Sequence, residues 1–129
     1  MSQLKPLPQD LEKFRDSYKE MFGEVPPLPA AKFEFSGEIA PAALRLAEQF
    51  RAHAFYNTVF DAKTTQLLLF GMLLATGTEA AQHHAHAARR AGASWEELHQ
   101  VVELASAMSA LGPFNHGSAM LHKLRGQGE

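Results

Sequence analysis

The sequence contains no cysteine. That excludes disulfides, thiolate metal sites and thiol redox chemistry together. It has no large excess of either charge sign: the formal charge is −2, which argues against a nucleic-acid-binding surface. No apolar run reaches the roughly 18–20 residues a membrane span needs; the longest, Leu67–Ala75, has the length of a core helix. The start, Met1-Ser2-Gln3-Leu4-Lys5-Pro6, lacks the apolar stretch of a secretory signal, so a cytoplasmic location is expected. Gly-x-Ser-x-Gly, His-Glu-x-x-His and a glycine-rich phosphate loop are all missing. Nucleophilic hydrolysis, zinc proteolysis and nucleotide chemistry lose their usual signatures with them.

What is present is helical. The 129 residues, 46% of them hydrophobic, suit a single all-α domain of five or six helices over 1–129. A proline-bearing arm covers residues 1–9, and the core helices run from about 41 to 125. A first helix is expected from about Asp10 to Phe22, stopped by Gly23. Pro26, Pro27 and Pro29 interrupt the next stretch, so the segment carrying Phe33 and Phe35 reads as loop. The next helix opens at Pro41 and ends near Tyr56-Asn57, with Leu44, Ala47, Phe50, Arg51, Ala54 and Phe55 on one side.

Asp61 is the expected N-cap of a helix over about 62–76. Its polar residues, Lys63, Thr64, Thr65 and Gln66, sit in the first turn, and the rest is apolar nearly all round, so it reads as the most buried helix. Gly71 within it implies a close helix crossing. Gly77 ends it and Thr78 caps the next helix, giving a central antiparallel hairpin. Ser94-Trp95-Glu96-Glu97 forms a capping box for a helix to Leu111. Gly112 and Pro113 separate that helix from a last one over about 113–125, which turns Met120, Leu121 and Leu124 inward.

The stretch Gly77–Gly92 is the candidate functional element. Wound at about 100° per residue, it puts Glu79, Gln82, His83, His86, Arg89 and Arg90 on one side. The other side carries Ala80, Ala81, Ala85, Ala87, Ala88 and Ala91, with His84 the one non-alanine among them. Small side chains admit a close neighbour, so His84 is expected to be partly desolvated and held in its neutral, proton-accepting form. A structural histidine bonded to a backbone carbonyl is the plainer alternative. His84 is the candidate general acid–base group, with Lys63 and Arg89 or Arg90 as cations for a carboxylated substrate and His116 as a secondary candidate near a helix start. His83 and His86, three apart, form a weak alternative metal pair whose third ligand would come from Glu79, His99, His116 or another subunit. No metal and no cofactor are expected.

From Phe60 onward the sequence resembles the carboxymuconolactone decarboxylase family, which includes the alkylhydroperoxidase D proteins. The residues that carry the likeness are Asp61-Ala62-Lys63-Thr64, the apolar helix Leu67–Ala75, Gly77, His84, and Ala88-Arg89-Arg90-Ala91-Gly92-Ala93-Ser94-Trp95-Glu96-Glu97-Leu98. Phe33–Tyr56 is similar to the helix that precedes this core in the decarboxylase branch. The peroxidase branch has Cys-x-x-Cys where this chain has Gly77 and Ala80, and a glutamate that falls near Thr65, so thiol peroxidase chemistry is excluded. The decarboxylase branch keeps the histidine matching His84. The resemblance implies an alkylhydroperoxidase D-like helical fold and cofactor-free decarboxylation of 4-carboxymuconolactone or a related acid in aromatic catabolism. It also implies a homo-oligomer, a trimer or hexamer.

Overall fold

The computed structural model describes residues 6–56 and 58–128. Part of the expected N-terminal arm (residues 1–5) and the helix end at Asn57 lie outside the described residues. Among the described residues the helices are, in order, α1 (Gln9–Phe22), α2 (Pro27–Ile39), α3 (Pro41–Phe55), α4 (Ala62–Ala75), α5 (Ala81–Arg90) and α6 (Trp95–Gly126). No strand occurs among the described residues, so the fold is all-α, as the sequence predicts. None of these helices is long and apolar enough to cross a membrane. The chain divides into two compact units, residues 1–65 and 66–129.

In the first unit, Gly23 stops α1 in the left-handed region (φ 86°), its N–H donating to the Lys19 carbonyl at 2.8 Å. The loop expected around Phe33 and Phe35 is instead α2. Pro26 is its N-cap, and Pro27 and Pro29 fall in the first turn, where backbone N–H groups have no intrahelical partner to lose. Phe33 is fully buried there and meets Tyr18 edge-on, with ring centroids 5.6 Å apart; Phe35 is exposed. α3 begins at Pro41 as expected, but its buried side differs. Leu44 and Glu48 are inside, whereas Phe50 is exposed. The apolar pattern passed over Glu48 because an isolated carboxylate belongs in water.

Asp61 caps α4, its Oδ1 accepting from the Thr64 N–H at 2.7 Å. Gly71 marks the expected close approach: a methyl group there would stand 3.0 Å from Val101 Cγ1. α4 is not buried all round, however. Leu68 and Met72 are exposed, and Gln66, expected to be merely first-turn polarity, is buried. Gly77 ends the connection in the left-handed region (φ 72°). Thr78 does not cap α5. Its hydroxyl pairs with that of Thr76 at 3.0 Å, and α5 begins at Ala81 without a side-chain cap.

The capping box forms as expected: Ser94 Oγ accepts from the Glu97 N–H and Glu97 Oε1 accepts from the Ser94 N–H, both at 3.0 Å. The core of the second unit gathers Phe70, Ala81, Ala88, Ala93 and Leu98, with Leu67, Leu73, Leu74, Ala85 and Val101 against it. The expected break at Gly112-Pro113 does not occur, and α6 runs unbroken for 32 residues. A residue before proline normally avoids the helical region because its Cβ and N–H meet the proline ring; Gly112 has no Cβ, which relieves part of that clash where α6 runs through Pro113. Met120, Leu121 and Leu124, expected to face inward, are therefore carried out into solvent.

Candidate functional site

The alanine face of α5 is packed as its composition suggests: Ala81, Ala87 and Ala88 are buried. His84 sits among them, 8% exposed. Its Nδ1 lies 2.8 Å from Oε1 of Gln66 in α4, itself 5% exposed. An amide oxygen only accepts, so Nδ1 carries the proton and donates it. In the neutral ring the lone pair is then on Nε2. The partner at Nδ1 is a side-chain amide. Gln66 is the residue that sequence reasoning missed. The family's upstream glutamate, placed near Thr65, pointed within one residue of it, but a search for a carboxylate passes over a neutral amide.

The other sequence candidates scatter. Arg89 lies about 140° around the helix from His84, five residues on. Its Nη1 donates to the Ala93 carbonyl at 2.6 Å and its guanidinium stacks 4.2 Å from the Trp95 ring. It thus braces the turn in which Gly92 adopts φ 98° and the Ala93 N–H returns to the Ala88 carbonyl at 2.9 Å. Lys63 is half-buried in the first turn of α4. His116 is exposed in the middle of α6, not near a helix start. His83 is half-buried and His86 exposed; among the described residues no three His, Cys, Asp or Glu side chains are grouped to hold a metal ion.

Two further features bear on function. An open groove of about 540 Å³ runs along α6, lined by Leu74, Ala75, Val102, Ala105, Ser106, Ser109 and Ala110. Its hydroxyls are turned onto their own helix, Ser106 Oγ donating to the Val102 carbonyl at 2.7 Å and Ser109 Oγ to that of Ala105 at 3.0 Å. His84 does not line it. The groove therefore offers apolar surface rather than reactive groups.

In the first unit, Glu48 is 1% exposed and holds a charged cluster. Tyr18 OH donates to its Oε1 at 2.9 Å, Lys32 Nζ donates to the same oxygen, and Arg51 Nε donates to Oε2 at 2.8 Å. Lys32 also donates to Tyr18 OH at 2.6 Å, and Arg51 Nη2 to Ser17 Oγ at 2.5 Å. Among the described residues Arg51 Nη1 is buried without a hydrogen-bond partner, but the guanidinium lies 3.8 Å from the Tyr18 ring centroid. Burial alone would raise the Glu48 pKa. The hydrogen bonds from Lys32 and Arg51, with the Lys32 charge and Tyr18, outweigh it and hold the carboxyl below its ordinary range. Burial pushes the Tyr18 phenol well above its usual value; the Arg51 charge opposes that, and Glu48 adds to it. Tyr18 therefore stays a neutral donor. The cluster fits a structural clamp.

The second unit has a buried histidine in α5, followed by a Gly-Ala-Ser turn whose serine caps α6, within an all-helical chain. Residues 41–123 match the model of the carboxymuconolactone decarboxylase family, nearly two-thirds of the chain, and the chain belongs to that family. Searches of curated proteins and of solved structures find no significant match.

Proposed function

We propose that this chain is a decarboxylase-like enzyme that carries out cofactor-free decarboxylation, or related acid–base chemistry, on a small carboxylated lactone in the cytoplasm. The supporting observation is the buried His84–Gln66 pair. The bond to the departing carboxylate breaks, its electron pair passes into the conjugated lactone, and carbon dioxide leaves. His84, having first taken a proton from water onto its Nε2 lone pair, then delivers that proton to carbon and returns to the neutral form. Nδ1 keeps its proton and its bond to Gln66 throughout, so the ring holds its orientation as its charge changes. Substrate-binding roles for Lys63, Arg89 and His116, and assembly as a homo-oligomer, are parts of this proposal.

The test is turnover of 4-carboxymuconolactone by wild type and His84→Ala, both folded and of equal oligomeric size. Turnover lost only in the variant is the expected result. Equal turnover in both would remove His84 from the mechanism. A second reading, a non-enzymatic oligomeric binding protein, is favoured by the engagement of Arg89 with Ala93 and Trp95. It gains if the wild type is inactive.

A further inference from the structure

At about 1.5 Å per residue, the 32-residue α6 is about 48 Å long. Only its first turns carry side chains into the second unit's core, through Leu98 and Val101. Beyond them a second apolar stripe emerges on another side of the helix. Leu104, Ala107, Leu111, Phe114, Ser118 and Leu121 succeed one another at spacings of 3, 4, 3, 4 and 3 residues. That alternation has the spacing of a coiled-coil seam over about two and a half heptads, with Leu104, Leu111 and Ser118 at one core position and Ala107, Phe114 and Leu121 at the other. Leu104, Leu111, Phe114 and Leu121 are between 49% and 71% exposed, and Met108 beside them is 69% exposed. Pro113 falls on the opposite side of the helix, so its ring stays clear of the stripe.

The charges along α6 are segregated. Glu96, Glu97 and Glu103 lie in the first third, and Lys123 and Arg125 in the last turns. A parallel pair would set like charges side by side, whereas an antiparallel pair sets the acidic end of each helix against the basic end of the other. The seam is also self-complementary under reversal. A twofold axis between residues 112 and 113 brings Leu104 opposite Leu121, Ala107 opposite Ser118 and Leu111 opposite Phe114. One step further, the partner's Arg125 falls opposite Gln100, between Glu96 and Glu103. The five large side chains from each copy would bury roughly 1,000 Å², the order of the smallest specific interfaces.

We infer that α6 pairs antiparallel with α6 of a second copy of this chain, about a twofold axis at Gly112-Pro113, through the stripe from Leu104 to Leu121. The arrangement is isologous, each stripe meeting itself reversed. It deepens the homo-oligomer part of the proposed function and is independent of the reaction.

The absence of native cysteine makes the test clean. Leu104→Cys and Leu121→Cys are made separately and oxidised alone and mixed. The expected result is a disulfide-linked dimer only in the mixture, because the like pairs stand about 25 Å apart along the axis. Dimers in each variant alone would mean parallel pairing and would overturn the inference. Light scattering is the second readout: wild type as a dimer or a multiple of one, with Leu111→Glu/Phe114→Glu halved in mass but unchanged in helicity. A wild-type monomer would overturn both the pairing and the oligomer. A wild-type oligomer whose mass survives the double substitution would overturn the pairing alone and place assembly on another surface.

Discussion

Residues 1–65 bury a carboxylate among cations, whereas residues 66–129 bury a titratable ring against a neutral amide. Around Glu48, two positive groups and a phenol fill both carboxylate oxygens, so the charge is locked in and any change of protonation breaks the cluster. Around His84, Gln66 accepts one hydrogen bond whether the ring is charged or neutral. The first arrangement resists titration and suits a clamp for α1, α2 and α3. The second keeps the Nδ1 bond in either protonation state, which suits the proton transfer proposed for His84. The degree of burial is similar in the two sites; Glu48 meets two cations and a phenol where His84 meets the Gln66 amide.

The sharpest way to break that contrast is Glu48→Ala. It leaves Lys32 and Arg51 facing each other without their counter-charge. The cost should be about 3 kcal/mol, the lower part of the range for breaking a buried pair, because the Lys32 side chain is 35% exposed. Urea unfolding measures it. The same site sets the acid limit. Its folded pKa lies below the unfolded value, so its contribution is complete above about pH 4.5 and is lost as pH falls through the folded pKa. Stability against pH should therefore slope less steeply below pH 4.5 in Glu48→Gln than in wild type.

In the second unit a comparable substitution should spare the fold and alter the chemistry. Gln66→Leu removes the acceptor for Nδ1, and turnover is expected to fall about 10–100-fold, corresponding to about 1.4–2.8 kcal/mol. Gln66→Glu would supply a charge like that of the first unit. The histidine limb of its pH–rate profile should move to higher pH, because the carboxylate favours the protonated ring. The smallest effect belongs to Gly71→Ala. Better helix propensity and the 3.0 Å encounter with Val101 oppose each other, each amounting to about 1 kcal/mol. The net change in melting should be slight, and adding Val101→Ala should turn it stabilising only if that contact is the constraint.

Local chemistry was legible wherever one residue type answers one backbone need. Gly23, Asp61, Gly77 and the Ser94–Glu97 box all perform their expected tasks. The misreadings came from rules that depend on position. Prolines break a helix interior but open a helix, so α2 was hidden. Glycine before proline eases the usual clash, so the continuity of α6 was hidden too. Within the candidate site, His84 stood out against alanine, but Gln66, 18 residues earlier, has no local pattern to announce it. Glu48 was hidden in part for the same reason: Arg51 is three residues on in its own helix, but Lys32 and Tyr18 come from α2 and α1.

The most direct measurement is the tautomer of His84, read from the ¹⁵N shifts of its ring at a pH where it is neutral. The expected result is a proton on Nδ1 and a lone pair on Nε2, with the signature lost in Gln66→Leu. A proton on Nε2 in the wild-type protein would contradict the proposed mechanism, because Gln66 would then not be accepting from the ring and Nε2 would not be the atom that exchanges a proton with substrate.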